Sequence, residues 1–340
     1  MPNVRELHAQ LTIILTLLHP RRVRSPLVVT AAIALLLAGC GSDGDADAGD
    51  GSLSVVASIY PLQHLVEQVA GDVHVDVTVL TAPGADPHAL ELSPRDVATM
   101  GAADLVVYSA GFQPAVDDAV ATQASDHALD VSTVVDLIET ADEHADHEDD
   151  DHEDDGHEDD GHGHDHGGTD PHFWLDPVRY AAATEAVAGR MAELDPGNAA
   201  TYQANAASYV AELEALDAEF TEGLAECTHR EVVTTHAAFG YLTERYGLHQ
   251  IEMTGLSPDA EPSPHRVAEV VELVRELGVG AIYAEVIAGP QLAETVARET
   301  GTQVLVLDPV EGITDASPGE DYLAVMRANL EALRTGQECS

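Results

Sequence analysis

Short β-branched runs, each followed by a helix signal, occur in two sets along this 340-residue chain, one on either side of a single long amphipathic segment. No other feature limits the fold as much. "LSVVAS", "VHVDVTVL" and "DLVVYS" form the first set, and "EVVTT", "AIYAE" and "QVLVL" the second. Strands that alternate with helices pair in parallel, because each return to the sheet needs a helical crossover. Ser93-Pro94 and Ser263-Pro264 each place a capping hydroxyl before a proline at the first helical position. "SPHRVAEVVELVRELG" closes on Gly278, where a left-handed cap is expected. Between the sets, Asp195-Pro196 opens a helix whose apolar positions, Tyr202, Ala206, Tyr209, Leu213, Leu216, Phe220 and Leu224, fall in steps of three or four. Carried from Asn198 to Glu226, it would run roughly 43 Å and make a stiff joint. The expected fold is α/β, with two lobes that each hold a mostly parallel sheet flanked by helices. The N-terminal lobe spans 53–194, one long rigid helix 195–226, and the C-terminal lobe 227–340.

The N-terminal residues read as a targeting segment. Arg21, Arg22 and Arg24 precede the apolar run "PLVVTAAIALLLAG", which leads to Leu37-Ala38-Gly39-Cys40. Positive, then apolar, then small residues mark an export signal over 1–39, and the apolar part is short for a membrane span. "LAGC" resembles a bacterial lipobox, which would make Cys40 a lipidated first residue followed by a flexible tether through residue 52. The expected location is extracytoplasmic, with a lipid anchor as the only hold on the membrane. Cys227 and Cys339 then remain as an even pair in an oxidising compartment, where a disulfide is expected.

The formal charge of −47 arises from 61 acidic residues against 14 basic ones, all of them arginine. Such a chain repels phosphate backbones and anionic lipid headgroups, which excludes nucleic acid as a partner and favours cations. Residues 146–166 contain only His, Asp, Glu and Gly. Without apolar groups to offset the entropy of ordering, the segment 141–169 is expected to be disordered. His144, His147, His152, His157, His162, His164 and His166 offer imidazoles on this polyanion. They form an auxiliary metal-binding set, weak because no geometry is preset.

Four positions suit a dedicated metal site. His88 lies in the loop between "VHVDVTVL" and the helix beginning near Ser93, and His172 in the loop before the helix near Pro177. His236 and Asp308 directly follow strands, where ligands of α/β folds collect. Three imidazoles and a carboxylate make a closed tetrahedral set for a divalent first-row metal. Asp-Pro-His occurs twice, at 86–88 and 170–172, and the proline stiffens each segment that presents a histidine. A zinc hydrolase would need an open coordination position beside a general base, and the chain carries no HExxH motif. The expectation is a binding protein rather than an enzyme.

Taken together, "ADPHALELSPRD", "DPHFWLDP", "THAAFGYLTERYGL", "GLSPDAEPSP", "VLDPVEGIT" and "DYLAVMRANLEAL" resemble the cluster A-I (cluster 9) solute-binding proteins of ABC transporters for zinc and manganese. The resemblance runs from about Leu53 to Glu338. It implies two α/β lobes with the metal between them, ligands at His88, His172, His236 and Asp308, and a monomer that serves a membrane permease. Some members of the family close the shell otherwise, which leaves Glu285 in "IYAEVIAG", or water, as alternatives to Asp308. A histidine rather than a glutamate at 236 and an acidic His-rich insertion resemble the zinc-specific members. Exchanging a carboxylate for an imidazole also shifts preference from Mn²⁺ toward Zn²⁺. The implied function is capture of Zn²⁺ as the transported ligand. The alternatives are a manganese carrier or a surface adhesin that metal stabilises.

Overall fold

A computed structural model describes residues 52–139, 168–258 and 260–340. The expected signal, Cys40, the tether up to residue 51 and the seven auxiliary histidines lie outside the described residues.

The first half builds β1 (Leu53–Ala57), α1 (Tyr60–Ala70), β2 (Val75–Val79), α2 (Pro94–Ala102), β3 (Leu105–Tyr108), α3 (Pro114–Ala119) and β4 (Ala128–Asp130). Its strands form a parallel sheet in the order β2-β1-β3-β4. Ser93 caps α2 in a reciprocal box with Asp96, as its Ser-Pro signal indicates. After the inserted segment come two antiparallel helices, α4 (Pro177–Leu194) and α5 (Ala199–Gly223). The second half repeats the pattern with β5 (Glu231–Thr234), α6 (Gly240–Tyr246), β6 (His249–Glu252), α7 (Pro264–Leu277), β7 (Ala281–Ala284), α8 (Gln291–Thr300), β8 (Gln303–Val306) and α9 (Tyr322–Gly336). Its parallel sheet runs β6-β5-β7-β8. The fold is therefore the α/β arrangement of two parallel sheets flanked by helices.

β4 and β6 are additions to the six strands expected from sequence. Both are edge strands, and β6 reads His-Gln-Ile-Glu, so neither shows the buried apolar run that marks a central strand. The long helix is also shorter than expected. Leu224 caps α5, which places its end before Glu226. Its expected apolar face is buried, from Tyr202 through Phe220, but α5 is not a lone strut. It packs along α1 and α4 on one side and α9 on the other. One apolar core consequently runs from Val55 and Leu62 through Tyr209 and Leu216 to Tyr283 and Leu333.

The halves are also tied by specific hydrogen bonds. Trp174 Nε1 donates to Pro309 O (2.8 Å), and the Tyr322 hydroxyl donates to Trp174 O (2.6 Å). The Tyr241 hydroxyl donates to Asp170 O and accepts from Ile138 N. Cys227 and Cys339 are joined by a disulfide, which fastens the segment that follows α9 to the segment that leads into β5.

Candidate metal centre

His88 and His172 come from the first half and are presented in the same way. In each Asp-Pro-His triplet the Asp Oδ1 accepts the histidine backbone N–H, at 2.8 Å for Asp86 to His88 and 2.9 Å for Asp170 to His172. The proline between holds φ while the carboxylate closes the turn, which fixes where the imidazole leaves the chain. Gln113 Nε2 adds an anchor on Pro87 O (3.0 Å). His236 follows β5 directly, at the crevice where β5 lies between β6 and β7.

The three imidazoles meet on one carboxylate, and it belongs to Glu311. Glu311 Oε1 lies 3.1 Å from His88 Nε2, 3.1 Å from His172 Nε2 and 3.7 Å from His236 Nε2. His88 Nε2 and His172 Nε2 are 3.4 Å apart. Two donors at ~2.0–2.1 Å from a tetrahedral zinc are separated by roughly 3.3–3.4 Å, so the spacing suits that ion. All four donor atoms lie within 4.8 Å of one another. His236 Nε2 is fully buried and makes no hydrogen bond, an unmet polar atom aimed at this centre.

Asp308, which the sequence suggests as the oxygen donor, is not a member of this cluster. Its Oδ1 accepts Val310 N–H (2.8 Å), and burial pushes its carboxyl up to about 6 against that hydrogen bond. Glu285, the other acidic candidate, stands behind His236. Its Oε1 accepts from His236 N (3.0 Å) and from the Thr235 hydroxyl, and its Oε2 lies against His236 Nδ1. Asp170 does the same for His172, with Oδ1 2.8 Å from Nδ1. A carboxylate can only accept, so His172 Nδ1 donates to Asp170, and the contact of Glu285 with His236 Nδ1 likewise leaves both Nε2 atoms turned toward the centre.

The electrostatics follow from burial opposed by these pairings. Burial alone would lower His236, but Glu285 and Glu311 raise it to about 10. His172 is likewise raised, because Asp170 and Glu311 outweigh its burial. Burial alone would raise Glu311, yet contact with the three imidazoles holds it well below the usual carboxylate range. The rings of Phe112 and Trp174 wall the site, Phe112 4.7 Å from His88 and Trp174 5.3 Å from His172 by centroid. Only His88 keeps some exposure, with 11% of its side chain accessible. Such a set can cage one small dication in a nearly dry pocket.

Comparison with known proteins agrees with this chemistry. The family model described as zinc-uptake complex component A, periplasmic (ZnuA), matches residues 55–336. The high-affinity zinc uptake system protein ZnuA of Bacillus subtilis is 36% identical over 318 residues, covering 91% of this chain and 96% of that protein. The zinc-binding lipoprotein AdcA of Streptococcus pneumoniae is 36% identical over 320 residues, covering 92% of this chain. The chain spans only 61% of that relative's length. The crystal structure of Zn(II)-bound AdcA from Streptococcus pneumoniae aligns with a TM-score of 0.69 at 33% identity, over 85% of this chain and 58% of that one.

Proposed function

The chain belongs to the zinc-uptake component A family, and from that premise we propose that it is the extracytoplasmic solute-binding component of a zinc ABC importer. It captures Zn²⁺ between its two halves and delivers it to a membrane permease, with no reaction catalysed. The observation that carries this reading is the convergence of three Nε2 atoms on Glu311 Oε1 at spacings that suit one tetrahedral ion. In this reading His88, His172 and His236 are neutral nitrogen donors and Glu311 is the charge-balancing oxygen donor. Three nitrogens favour Zn²⁺ over Mn²⁺, which prefers oxygen-rich shells. The protein acts as a monomer held at the membrane by a lipid on Cys40, and the imidazoles of the acidic segment gather zinc ahead of the main site.

Metal exchange runs through His88. It is the one donor with exposure, and its loop is fastened by Asp86 and Gln113 of its own half, whereas His172 is flanked by bonds that cross between the halves. The test is twofold. Chelator-competition titrations with Zn²⁺ and Mn²⁺ should show one tight zinc site that is lost in His236→Ala. A deletion strain should grow normally in zinc-replete medium and fail under zinc limitation. Equal affinity for the two metals, or a deletion strain indifferent to zinc, would refute the proposal.

A further inference from the structure

Glu311 reaches the centre through an unusual piece of backbone. Val310, fully buried and β-branched, has φ of +59°, a region that such a residue avoids because its branched Cβ crowds the chain. Left-handed residues are ordinarily Gly, Asn or Asp, and strain of this kind persists only where the surroundings impose it.

The surroundings are specific. Asn329 of α9 grips Asp308 on both faces, accepting from its N–H (2.9 Å) and donating Nδ2 to its carbonyl (2.7 Å). The next peptide, Pro309–Val310, is pinned on both edges. Trp174 Nε1 donates to Pro309 O (2.8 Å), and Val310 N–H donates to Asp308 Oδ1 (2.8 Å). With that plane held and the proline φ fixed by its ring, the starting point of the next residue is set, and from there it is the left-handed φ of Val310 that brings Glu311 Oε1 onto the imidazoles.

Asp308-Pro309-Val310 thereby repeats the device at the two histidines. In all three segments an Asp before a proline accepts the N–H two residues on, at 2.8, 2.9 and 2.8 Å. The same bond caps α4 at Asp176, where it serves only the helix. In the two histidine segments the Asp holds the turn and a following residue faces the metal.

We propose that Asp308 is a positioning residue for zinc capture: by accepting the Val310 N–H it keeps Val310 left-handed and so aims Glu311 at the three histidines. The inference rests on the reading that this cluster holds zinc. Without the carboxylate, one edge of the Pro309–Val310 peptide is released, Val310 relaxes toward a right-handed conformation, and Glu311 swings out of reach. A glycine at 310 has no such drive, because it tolerates positive φ at no steric cost.

The experiment compares zinc affinity by chelator competition, and the visible spectrum of the Co²⁺-loaded protein, for the full-length chain and for Asp308→Ala, Asp308→Asn, Val310→Gly, Asp308→Ala/Val310→Gly and Glu311→Ala. Asp308→Ala should weaken zinc binding by ~10–100-fold, the range for a group that orients a ligand. Asp308→Asn keeps the acceptor oxygen and should bind within a few-fold of the wild type. Val310→Gly in the Asp308→Ala background should restore most of the loss and the wild-type Co²⁺ spectrum. Asp308→Asn as weak as Asp308→Ala, a loss that glycine does not rescue, or full affinity in Asp308→Ala would each overturn the proposal. The first two would point to Asp308 as a direct ligand. Should Asp308→Ala fail to fold, Asp308→Asn decides by itself: a loss of about 10-fold or more there would overturn the proposal, whereas binding within a few-fold of the wild type and an unchanged Co²⁺ spectrum would support it. Wild-type affinity in Glu311→Ala would instead overturn the reading of the site itself, and this inference with it.

Discussion

Zinc binding should expel protons, and the number can be read from the site. Before metal arrives, His236 is raised to about 10 by Glu285 and Glu311 in spite of its burial, so at pH 7.5 it carries a proton almost completely. His172 is raised by Asp170 and Glu311, again against its burial, and so acts in the same direction. Glu311 is already ionised and has none to give. Zinc takes only the neutral imidazole, so capture near pH 7.5 should release at least about one proton, that of His236, and affinity should rise about 10-fold or more per pH unit. The sign is fixed by the direction of the shifts. Protons compete with metal, affinity falls as pH falls, and the gain from His236 is exhausted as pH rises through about 10. For the metal-free protein the same raised imidazoles favour folding below the unperturbed range near ~6.5, a contribution lost as pH climbs through the folded value. The assay is calorimetric titration with Zn²⁺ at pH 7.5 in buffers of different ionisation enthalpy, where the slope of observed heat against buffer enthalpy gives the protons released. Glu285→Gln should lower that slope, because the charge against His236 Nδ1 is gone. A slope near zero in the wild type, with affinity flat between pH 6.5 and 8.5, would refute the reasoning, because the imidazoles would then be neutral before zinc binds.

Gly240→Ala should weaken zinc binding by about 10-fold without unfolding the protein. A Cβ there would sit 2.7 Å from Asp170 Oδ2 and push that carboxylate off His172 Nδ1, a loss that chelator competition would reveal. Replacing Cys227 and Cys339 with serine opens a crosslink that spans 112 residues. The loss should be about 4–5 kcal/mol, or a fall in melting temperature of roughly 10 °C by calorimetry at saturating zinc. Deleting residues 146–166 should leave the tight site intact in titrations yet reduce uptake under severe zinc limitation. Unchanged uptake would leave that segment as a spacer.

Much of the site is legible in the sequence because its positioning devices are local. Each Asp-Pro-His triplet announces a stiffened segment that presents its histidine, and the structure adds the bond that fixes it, from the histidine N–H to the Asp carboxylate. His236 follows a β-branched run and emerges at the end of β5. Glu311 escapes notice for physical reasons. In a chain with 61 acidic residues one more glutamate carries little signal. The backbone conformation that delivers it falls on a valine, with no glycine at 310 to mark a left-handed turn. The partial signal is the recurrence of Asp-Pro in "LDPVEG", although here the donor lies one residue beyond the one whose N–H the Asp accepts. The missing strands failed differently. β4 and β6 are short edges whose pairing depends on neighbours far along the chain, so local composition does not show them.

The arrangement also bears on how four donors could hold an ion without a large rearrangement. Bringing four donors from four distant segments together would cost a flexible chain most of what coordination returns. Here that cost is met during folding. His172 sits between Tyr241, which ties Asp170 across the halves, and Trp174, which ties Pro309. The same Pro309 is the anchor from which Glu311 is aimed. A displacement of one half against the other would therefore break Trp174 to Pro309 and Tyr322 to Trp174 before it widened the site. With one apolar core continuous through α5 beneath both sheets, such a displacement would also expose buried surface. In the proposed reading the frame accordingly resists hinge opening, and the partly exposed edge of the site at His88 is where metal would be admitted and released.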